Sequence, residues 1–212
     1  MQLGGPFRWN FRARLGYPPR VRLAYHVMSS PIGLLFIARS ERGLKILSFM
    51  DRKSIRRVIA SHQDTLPDAT WQPSLLDLKP VVDQLESYFC GTITEFELRL
   101  DPDGTPFQLS VWKALLKIPY AQTRTYGEIA RALKQPRAAR AVGLANNQNP
   151  IAIVVPCHRV IGADGKLTGY GGGMHRKRWL LQHEARFGRV GAASGDLLGA
   201  EVSRGGARRD LH

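Results

Sequence analysis

The sequence Ile151-Ala-Ile-Val-Val-Pro-Cys-His-Arg-Val-Ile161 places a thiol, an imidazole and a guanidinium in a row after a short apolar run. The small and β-branched residues 151–155 predict a buried strand, which must end at Pro156 because proline cannot continue a sheet. Cys157 and His158 would then lie at a strand end, where catalytic residues are often found.

Adjacent Cys157 and His158 suggest a cysteine nucleophile, but consecutive side chains on an extended chain point to opposite faces. Proton transfer between them therefore requires either a turn at Pro156 or a bridging water. A core cysteine followed by a surface histidine is the alternative for an isolated pair. Two flanking segments favour a functional site: Asn149-Pro150, which starts a turn, and Gly169-Tyr-Gly-Gly-Gly173, whose bare backbone lets a flat ligand approach N–H groups closely.

A carboxylate follows on the next predicted helix. The spacing of residues 176–184 predicts a helix with Leu180 and Leu181 on its apolar face and Glu184 on that same face. A carboxylate turned toward the core needs a partner. His158 is one candidate, giving a relay in which Glu184 orients the ring and an imidazolium favours the Cys157 thiolate. An arginine near the helix end is the other candidate, and spacing alone does not choose between them.

The motif Pro156-Cys-His-Arg-Val160, with Asn149-Pro150 before it and Gly169-Tyr-Gly-Gly172 after it, resembles the active-site signature of one enzyme family. These are the O6-alkylguanine-DNA alkyltransferases, also called methylated-DNA–protein-cysteine methyltransferases. The resemblance extends from about Tyr25 to Glu184. It implies DNA repair by direct reversal, in which Cys157 takes the alkyl group from O6-alkylguanine in a single irreversible turnover. O4-alkylthymine stays open as a second substrate, and no cofactor is implied because the alkyl group comes from DNA.

Charge is distributed unevenly along the 212 residues, whose formal net charge is +14. Residues 25–100 carry nine Lys or Arg and nine Asp or Glu, whereas residues 101–185 carry twelve against five. A basic half joined to a neutral half favours a polyanionic partner such as nucleic acid. With 43% apolar residues, the chain is long enough to bury a substantial core.

Composition and turn signals predict four segments. Residues 1–24 and 186–212 lack apolar periodicity and are predicted to be a disordered basic extension and a disordered tail. Residues 25–100 are predicted to form an α/β structural domain, with paired strands before residue 50, a helix over Leu75–Phe89 and a strand over Phe96–Leu100. The resemblance implies a ribonuclease H-like fold for this half. Residues 101–185 are predicted to form the mainly helical DNA-binding and alkyl-transfer domain.

Two short helices in the second half suggest a helix-turn-helix, with an ordinary helical hairpin as the alternative. Thr125-Tyr-Gly-Glu128 is a capping box that opens the first helix, and residues 138–146 form the second. The second helix carries small residues and one long cation, Arg140, so it can approach a sugar-phosphate backbone closely but has few groups to read bases. The resemblance implies a winged helix-turn-helix-like domain whose second helix enters the minor groove, with Arg140 filling the gap left by a flipped base.

The resemblance also implies roles for the remaining site residues. Tyr126 would donate to the ring of the flipped guanine, the main chain at Cys157 and Val160 would accept its exocyclic amine, and the Gly171 N–H would face O6. Asn149 would hold the turn that supports the cysteine loop. Ala138 and Ala139 would lie against DNA, and Tyr170 and Asn146 would line the pocket.

Cysteine usage and hydropathy limit the other classes of protein. Cys90 and Cys157 have no paired spacing, which predicts neither disulfides nor a zinc site and fits a reducing, cytoplasmic compartment. No apolar run approaches the length of a membrane span. The expected partner is double-stranded DNA, bound with little sequence specificity by a monomer. The competing classes are a lesion-binding module, a transcriptional regulator and a cysteine hydrolase, and the presence of Cys157 disfavours the first of them.

Overall fold

The computed structural model describes residues 21–51, 54–63 and 65–199, with side-chain surroundings through residue 188. Its strands are β1 (Arg22–Met28), β2 (Leu35–Ser40), β3 (Gly43–Phe49), β4 (Thr70–Pro73), β5 (Arg124–Thr125) and β6 (Val160–Ile161). Its helices are α1 (Ile55–Ala60), α2 (Leu75–Cys90), α3 (Pro106–Leu115), α4 (Tyr126–Ala132), α5 (Ala139–Asn147) and α6 (Met174–Gly199). Within these residues, no helix combines the length and the apolar character that a membrane span requires.

The N-terminal half is a four-stranded sheet in the order β3-β2-β1-β4. β2 pairs antiparallel with β1 and β3, and β4 pairs parallel with β1. Leu35 and Ile37 on one face of β2 belong to the main core, whereas Phe36 and Ala38 on the other face pack with Val58 of α1. Because both faces are covered, β2 is almost entirely apolar instead of alternating.

Helix α2 agrees with its sequence prediction. The Ser74 side chain caps its first turn by accepting from the Asp77 N–H, and the helix ends at Gly91, whose φ of 75° is left-handed. The predicted strand over Phe96–Leu100 is wrong, although its side chains alternate in burial. Its backbone is bonded elsewhere: the Gln84 side chain of α2 bonds both the N–H and the carbonyl of Glu97, and one bridge joins Leu100 to Leu44.

The predicted helix pair of the C-terminal half is confirmed. Thr125 forms a capping box with Glu128 at the start of α4, and α5 follows after a turn in which Lys134 has a φ of 58°. The Trp112 indole N–H of α3 donates to the Ala145 carbonyl of α5 at 2.8 Å. This bond holds α5 against the core and leaves its opposite face exposed.

Residues 151–155 are buried as predicted but do not form a strand. Ile151 makes one bridge with Leu47 of β3, and the chain then turns sharply, with the Val155 N–H donating to the Ile151 carbonyl at 3.0 Å. Ile153 adopts a left-handed φ of 69°, which is strained for a β-branched residue. An apolar run indicates that a segment is buried but not that it is a strand. Here the buried segment is a compact loop that places Cys157 at the domain interface.

Two predicted boundaries also differ from the structure. β1 begins at Arg22, inside the segment predicted to be disordered, because Arg22 pairs with Thr70 of β4; residues 1–20 lie outside the described residues. The predicted tail begins too early, since α6 continues to Gly199. Its turn beyond residue 185 is held by the Phe187 ring, which contacts the His183 ring at a centroid distance of 4.9 Å. Residues 200–212 lie outside the described part.

Candidate active site

Cys157 lies in a 3-10 turn, Cys157–Arg159, directly after Pro156. Its Sγ accepts a hydrogen bond from the Asn149 Nδ2 at 3.0 Å, and the same Nδ2 donates to the Val155 carbonyl at 2.8 Å. The Asn149 Oδ1 accepts from the Ile151 N–H at 3.0 Å. One side chain thus fixes the beginning and the end of the loop and orients the sulfur.

Glu184 is fully buried and pairs with both a histidine and an arginine. Its Oε1 lies 2.8 Å from the His158 Nε2, and the Arg159 guanidinium donates to both carboxylate oxygens at 2.9 Å. The arginine is therefore the neighbour of His158 and not a residue of the helix end. The Tyr88 hydroxyl and the Ala121 N–H complete the site by donating at 2.8 and 3.1 Å.

The protonation of His158 follows from its partner. Burial alone would raise the pKa of Glu184, but His158 and Arg159 hold it well below its usual range, so the group is a carboxylate and can accept only. The His158 Nε2 must then carry a proton. Burial also lowers the pKa of His158 despite Glu184, which leaves the ring neutral with a free lone pair on Nδ1.

The chain turns after Pro156, but no hydrogen bond joins Cys157 to His158. The buried His158 Nδ1 has no hydrogen-bond partner among the described residues. An unpartnered buried acceptor is costly, and a bridging water is the usual way to satisfy it. The geometry thus favours the water-mediated alternative.

The surroundings of the Cys157 thiol shift its pKa in opposite directions. Burial raises the pKa of Cys157, while the Asn149 donor and the Lys177 ammonium act in the opposite direction. Lys177 is itself fully buried, and burial lowers its pKa to about 8. Its Nζ donates to the carbonyls of Val160 and Thr168 at 2.5 and 2.8 Å. A cation is thereby fixed beside the position where the thiolate develops.

A cavity of about 250 Å³ opens onto Cys157. It is smaller than the ~300–1,000 Å³ typical of sites for drug-sized ligands, which suits a single base. Asn146, Asn149, Tyr170 and Gly171 line it. The Asn146 Oδ1 is buried without a hydrogen-bond partner among the described residues, so the cavity presents an unused acceptor. The Tyr170 hydroxyl is also buried, and it lies close enough to the Cys157 sulfur to favour a lower pKa of that thiol.

The N-terminal domain supplies the facing wall of this cavity. Phe49 and Asp51 line it at the end of β3, and Val58, Ser61 and His62 line it from α1. The sequence predicted a structural role for this half because it carries no catalytic cluster. The observed lining adds a direct contribution to the site.

Val160 and Tyr126, which were expected to contact the guanine, lie outside the cavity lining. The Val160 carbonyl already accepts from Lys177 at 2.5 Å, so the amine-binding role implied for it is shared with a buried ammonium. Tyr126 is half-buried at the start of α4, where its hydroxyl lies 3.5 Å from the Thr168 carbonyl. Both residues border the site without lining it.

The exposed face of α5 lies next to the cavity, since Asn147 belongs to both. Arg140 is exposed on this face, whereas Ala138 and Ala139 at the start of the helix are half-buried. Leu144, one turn after Arg140, is 65% exposed. The face is thus smooth and apolar apart from Arg140 and the polar Asn147.

Three important residues were missed from the sequence. Arg159 is part of the quoted motif but received no role, and Tyr88 approaches Glu184 from a distance of 96 residues along the chain. Lys177 could have been found, because it lies three residues before Leu180 and therefore on the apolar face of α6. A lysine on such a face signals a buried cation.

The described residues contain no group of three or more His, Cys, Asp or Glu side chains that could hold a metal ion. Cys90 is exposed at the end of α2. His62 lies beside the Trp71 ring, with centroids 6.4 Å apart.

Comparison with known protein families gives two matches that together cover most of the chain. Residues 23–102 match the model of the 6-O-methylguanine DNA methyltransferase ribonuclease-like domain. Residues 106–186 match the model of the 6-O-methylguanine DNA methyltransferase DNA-binding domain.

Individual relatives are similar over the same region. A methylated-DNA–protein-cysteine methyltransferase of Methanosarcina barkeri is 51% identical over 160 residues, which cover 76% of this chain and 96% of the relative. The crystal structure of the Mycobacterium tuberculosis O6-methylguanine methyltransferase matches with a TM-score of 0.68 at 50% identity, covering 77% of this chain and 93% of the other. A structure of the Mycobacterium tuberculosis protein in complex with DNA matches with a TM-score of 0.67 at 49% identity, covering 79% and 94%.

Proposed function

Because the chain belongs to the 6-O-methylguanine DNA methyltransferase family, we propose that it repairs O6-alkylguanine in DNA by transferring the alkyl group to its own Cys157. The observation that carries this proposal is the Cys157 sulfur. It faces a base-sized cavity and has an amide donor, a buried cation and a neutral imidazole around it. No cofactor enters the reaction, since the DNA supplies the alkyl group.

The family and the fold class predicted from the sequence are confirmed: a ribonuclease-like α/β domain precedes a mainly helical DNA-binding domain. DNA is the partner. We propose further that the two domains meet at residues 101–106, that the protein acts as a monomer, and that it works in the cytoplasm. A reducing compartment would keep the Cys157 thiol available.

The proposed reaction is an in-line displacement. The Cys157 thiol gives its proton through a water to the His158 Nδ1, and the thiolate attacks the alkyl carbon. The C–S bond forms as the C–O6 bond breaks, and the electron pair goes to O6. Guanine takes up a proton from water and leaves, and the His158 imidazolium returns its proton to water. Glu184 stabilises the imidazolium, and Lys177 stabilises the thiolate before attack. The thioether product has no route to cleavage, so each molecule acts once.

The target base must leave the helix to reach Cys157, because O6 lies within the base stack. The unused acceptor Asn146 Oδ1 and the Tyr170 hydroxyl support binding of its polar edge, and the Gly171 backbone supports contact with O6. Tyr126, Ala138 and Ala139 would contact the DNA around the flipped nucleotide. We propose that Arg140 enters the gap left in the duplex.

The test of this proposal is the mass of the protein after incubation with a duplex containing O6-methylguanine. We expect the Cys157 peptide to gain one methylene unit, saturating at one per molecule, and Cys157→Ala to gain none. The exposed Cys90 provides the matched control, and Cys90→Ser should react like the wild type. If the wild type bound the lesion duplex but gained no mass, a lesion-binding module would replace the enzyme.

Substitution Arg140→Ala is expected to affect duplex DNA selectively. Methyl transfer from a duplex should slow about tenfold, because unstacking a base costs a few kcal/mol and the arginine offsets part of this cost. Transfer from a single strand should change little, since no gap forms there. The salt slope of duplex binding should fall by about one charge.

Arg99→Ala is the matched control, because Arg99 is also exposed but lies in the N-terminal domain. Rates are compared by quenched-flow transfer from labelled duplex and single-stranded substrates. Equal slowing on both substrates would contradict a role in filling the gap.

A further inference from the structure

The Phe49 ring forms part of the cavity wall from the N-terminal domain. It meets the Tyr170 ring edge-on, with centroids 6.2 Å apart. It also packs on Gly172 so closely that a Cβ atom at residue 172 would overlap it. The glycine-rich segment therefore admits the ring into the wall, and Phe49 and Tyr170 face the cavity together.

Arg176 fixes this ring in place across the domain interface. Its guanidinium lies 4.4 Å from the centroid of the Phe49 ring and pairs with the Asp51 carboxylate at 2.6 Å. It also donates to the carbonyls of Ile32 and Gly172, each at 2.8 Å. One buried side chain thus ties the end of β3, the turn before β2 and the glycine-rich segment together.

We propose that Phe49 is a specificity-determining residue, which limits the size of the O6-alkyl group that the Cys157 cavity accepts. This inference rests on the proposed alkyl transfer. The polar groups that suit the base, the Asn146 Oδ1 and the Tyr170 hydroxyl, both belong to the C-terminal domain. The alkyl group is the variable part of the substrate and needs apolar surface near the sulfur. Among the lining residues, Phe49 presents a large apolar ring from the N-terminal domain. Gly171 and Gly172 of the C-terminal domain have no side chain to contribute apolar surface.

The test compares two substrates in the same duplex sequence, one with O6-methylguanine and one with O6-benzylguanine. Second-order rate constants are measured by single-turnover mass labelling of Cys157. In Phe49→Ala, the ratio of the benzyl rate to the methyl rate should rise about tenfold or more, the effect expected for added space in an apolar pocket. Phe49→Leu should give a smaller rise in the same direction. Leu76→Ala, an 83% exposed position on α2, should keep the wild-type ratio.

The outcomes separate this inference from the proposed function. A wild type that gains no mass from O6-methylguanine refutes the alkyl transfer itself. A wild type that reacts, with an unchanged ratio in the Phe49 variants, overturns the specificity role alone. Equal loss of both rates would show that Phe49 is merely structural and would also overturn it. If Phe49→Ala does not fold, the ratio measured for Phe49→Leu decides.

Discussion

Replacement of Glu184 by alanine is expected to lower the free energy of unfolding by about 3–5 kcal/mol, the cost of leaving a buried charge without its partner. Arg159 is 7% exposed and, among the described residues, its guanidinium would keep one hydrogen bond, to the Ile118 carbonyl at 2.7 Å. The Tyr88 hydroxyl and the Ala121 N–H would lose their acceptor as well. Urea denaturation followed by circular dichroism measures the loss.

Two variants test whether the unpaired Arg159 charge causes the loss of stability in Glu184→Ala. Asp83→Ala removes one partner of the exposed Lys79–Asp83 pair and should change stability little. Arg159→Met combined with Glu184→Leu should be more stable than Glu184→Ala alone, since apolar residues can replace a buried pair at little cost. A double variant as unstable as Glu184→Ala would show that the carboxylate acts mainly through Tyr88 and Ala121.

The contribution of Glu184 to the free energy of unfolding is expected to decrease at low pH. The pKa of Glu184 is lower in the folded protein than its unfolded value of about 4.3, so its contribution is complete above that pH. It is lost as pH falls through the folded value. The stability difference between the wild type and Glu184→Gln should therefore be constant near neutral pH and shrink below about pH 4.

The sequence predicted which residues near the site are buried better than it predicted their backbone conformation. The spacing of α6 correctly turned Glu184 toward the core, and the Cys157 motif indicated the nucleophile. Residues 151–155 were predicted as a strand because apolar character reports burial, while their conformation depends on Asn149 bonds within the loop. The contacts of Glu184 with Tyr88 and Ala121 join positions 96 and 63 residues apart, which local periodicity does not encode.

The cavity wall also depends on contacts between distant residues that local sequence patterns do not predict. Phe49 was predicted as a strand residue, and that prediction is confirmed by β3. Its approach to Tyr170 depends on Gly172 and Arg176, which come from another domain more than 120 residues later. Sequence patterns predict which residues are buried in each domain, whereas the specificity of a site between domains arises from their packing.

Substitution Lys177→Met is expected to reduce methyl transfer at pH 7 by about tenfold or more, because a rise of one unit in the pKa of Cys157 has that effect on the thiolate population. Burial already raises the pKa of this thiol, and the Lys177 ammonium is one of the groups that opposes the rise. Methionine keeps most of the buried volume but removes the charge. The rate is followed from pH 6 to pH 10 with the methylated duplex, alongside alkylation of Cys157 by iodoacetamide in a Cys90→Ser background.

The pH profile separates an electrostatic role for Lys177 from a structural one. Burial lowers the pKa of Lys177 to about 8, so the wild type loses the ammonium as pH rises through that value. The advantage of the wild type over Lys177→Met should therefore be largest below pH 8 and should disappear above it. Lys113→Met, at a lysine whose pKa is also lowered by burial but which lies on α3, should leave the profile unchanged. A Lys177→Met variant slowed by the same factor at every pH would instead indicate that the bonds to Val160 and Thr168 hold the site together, and that the charge contributes nothing to the thiolate.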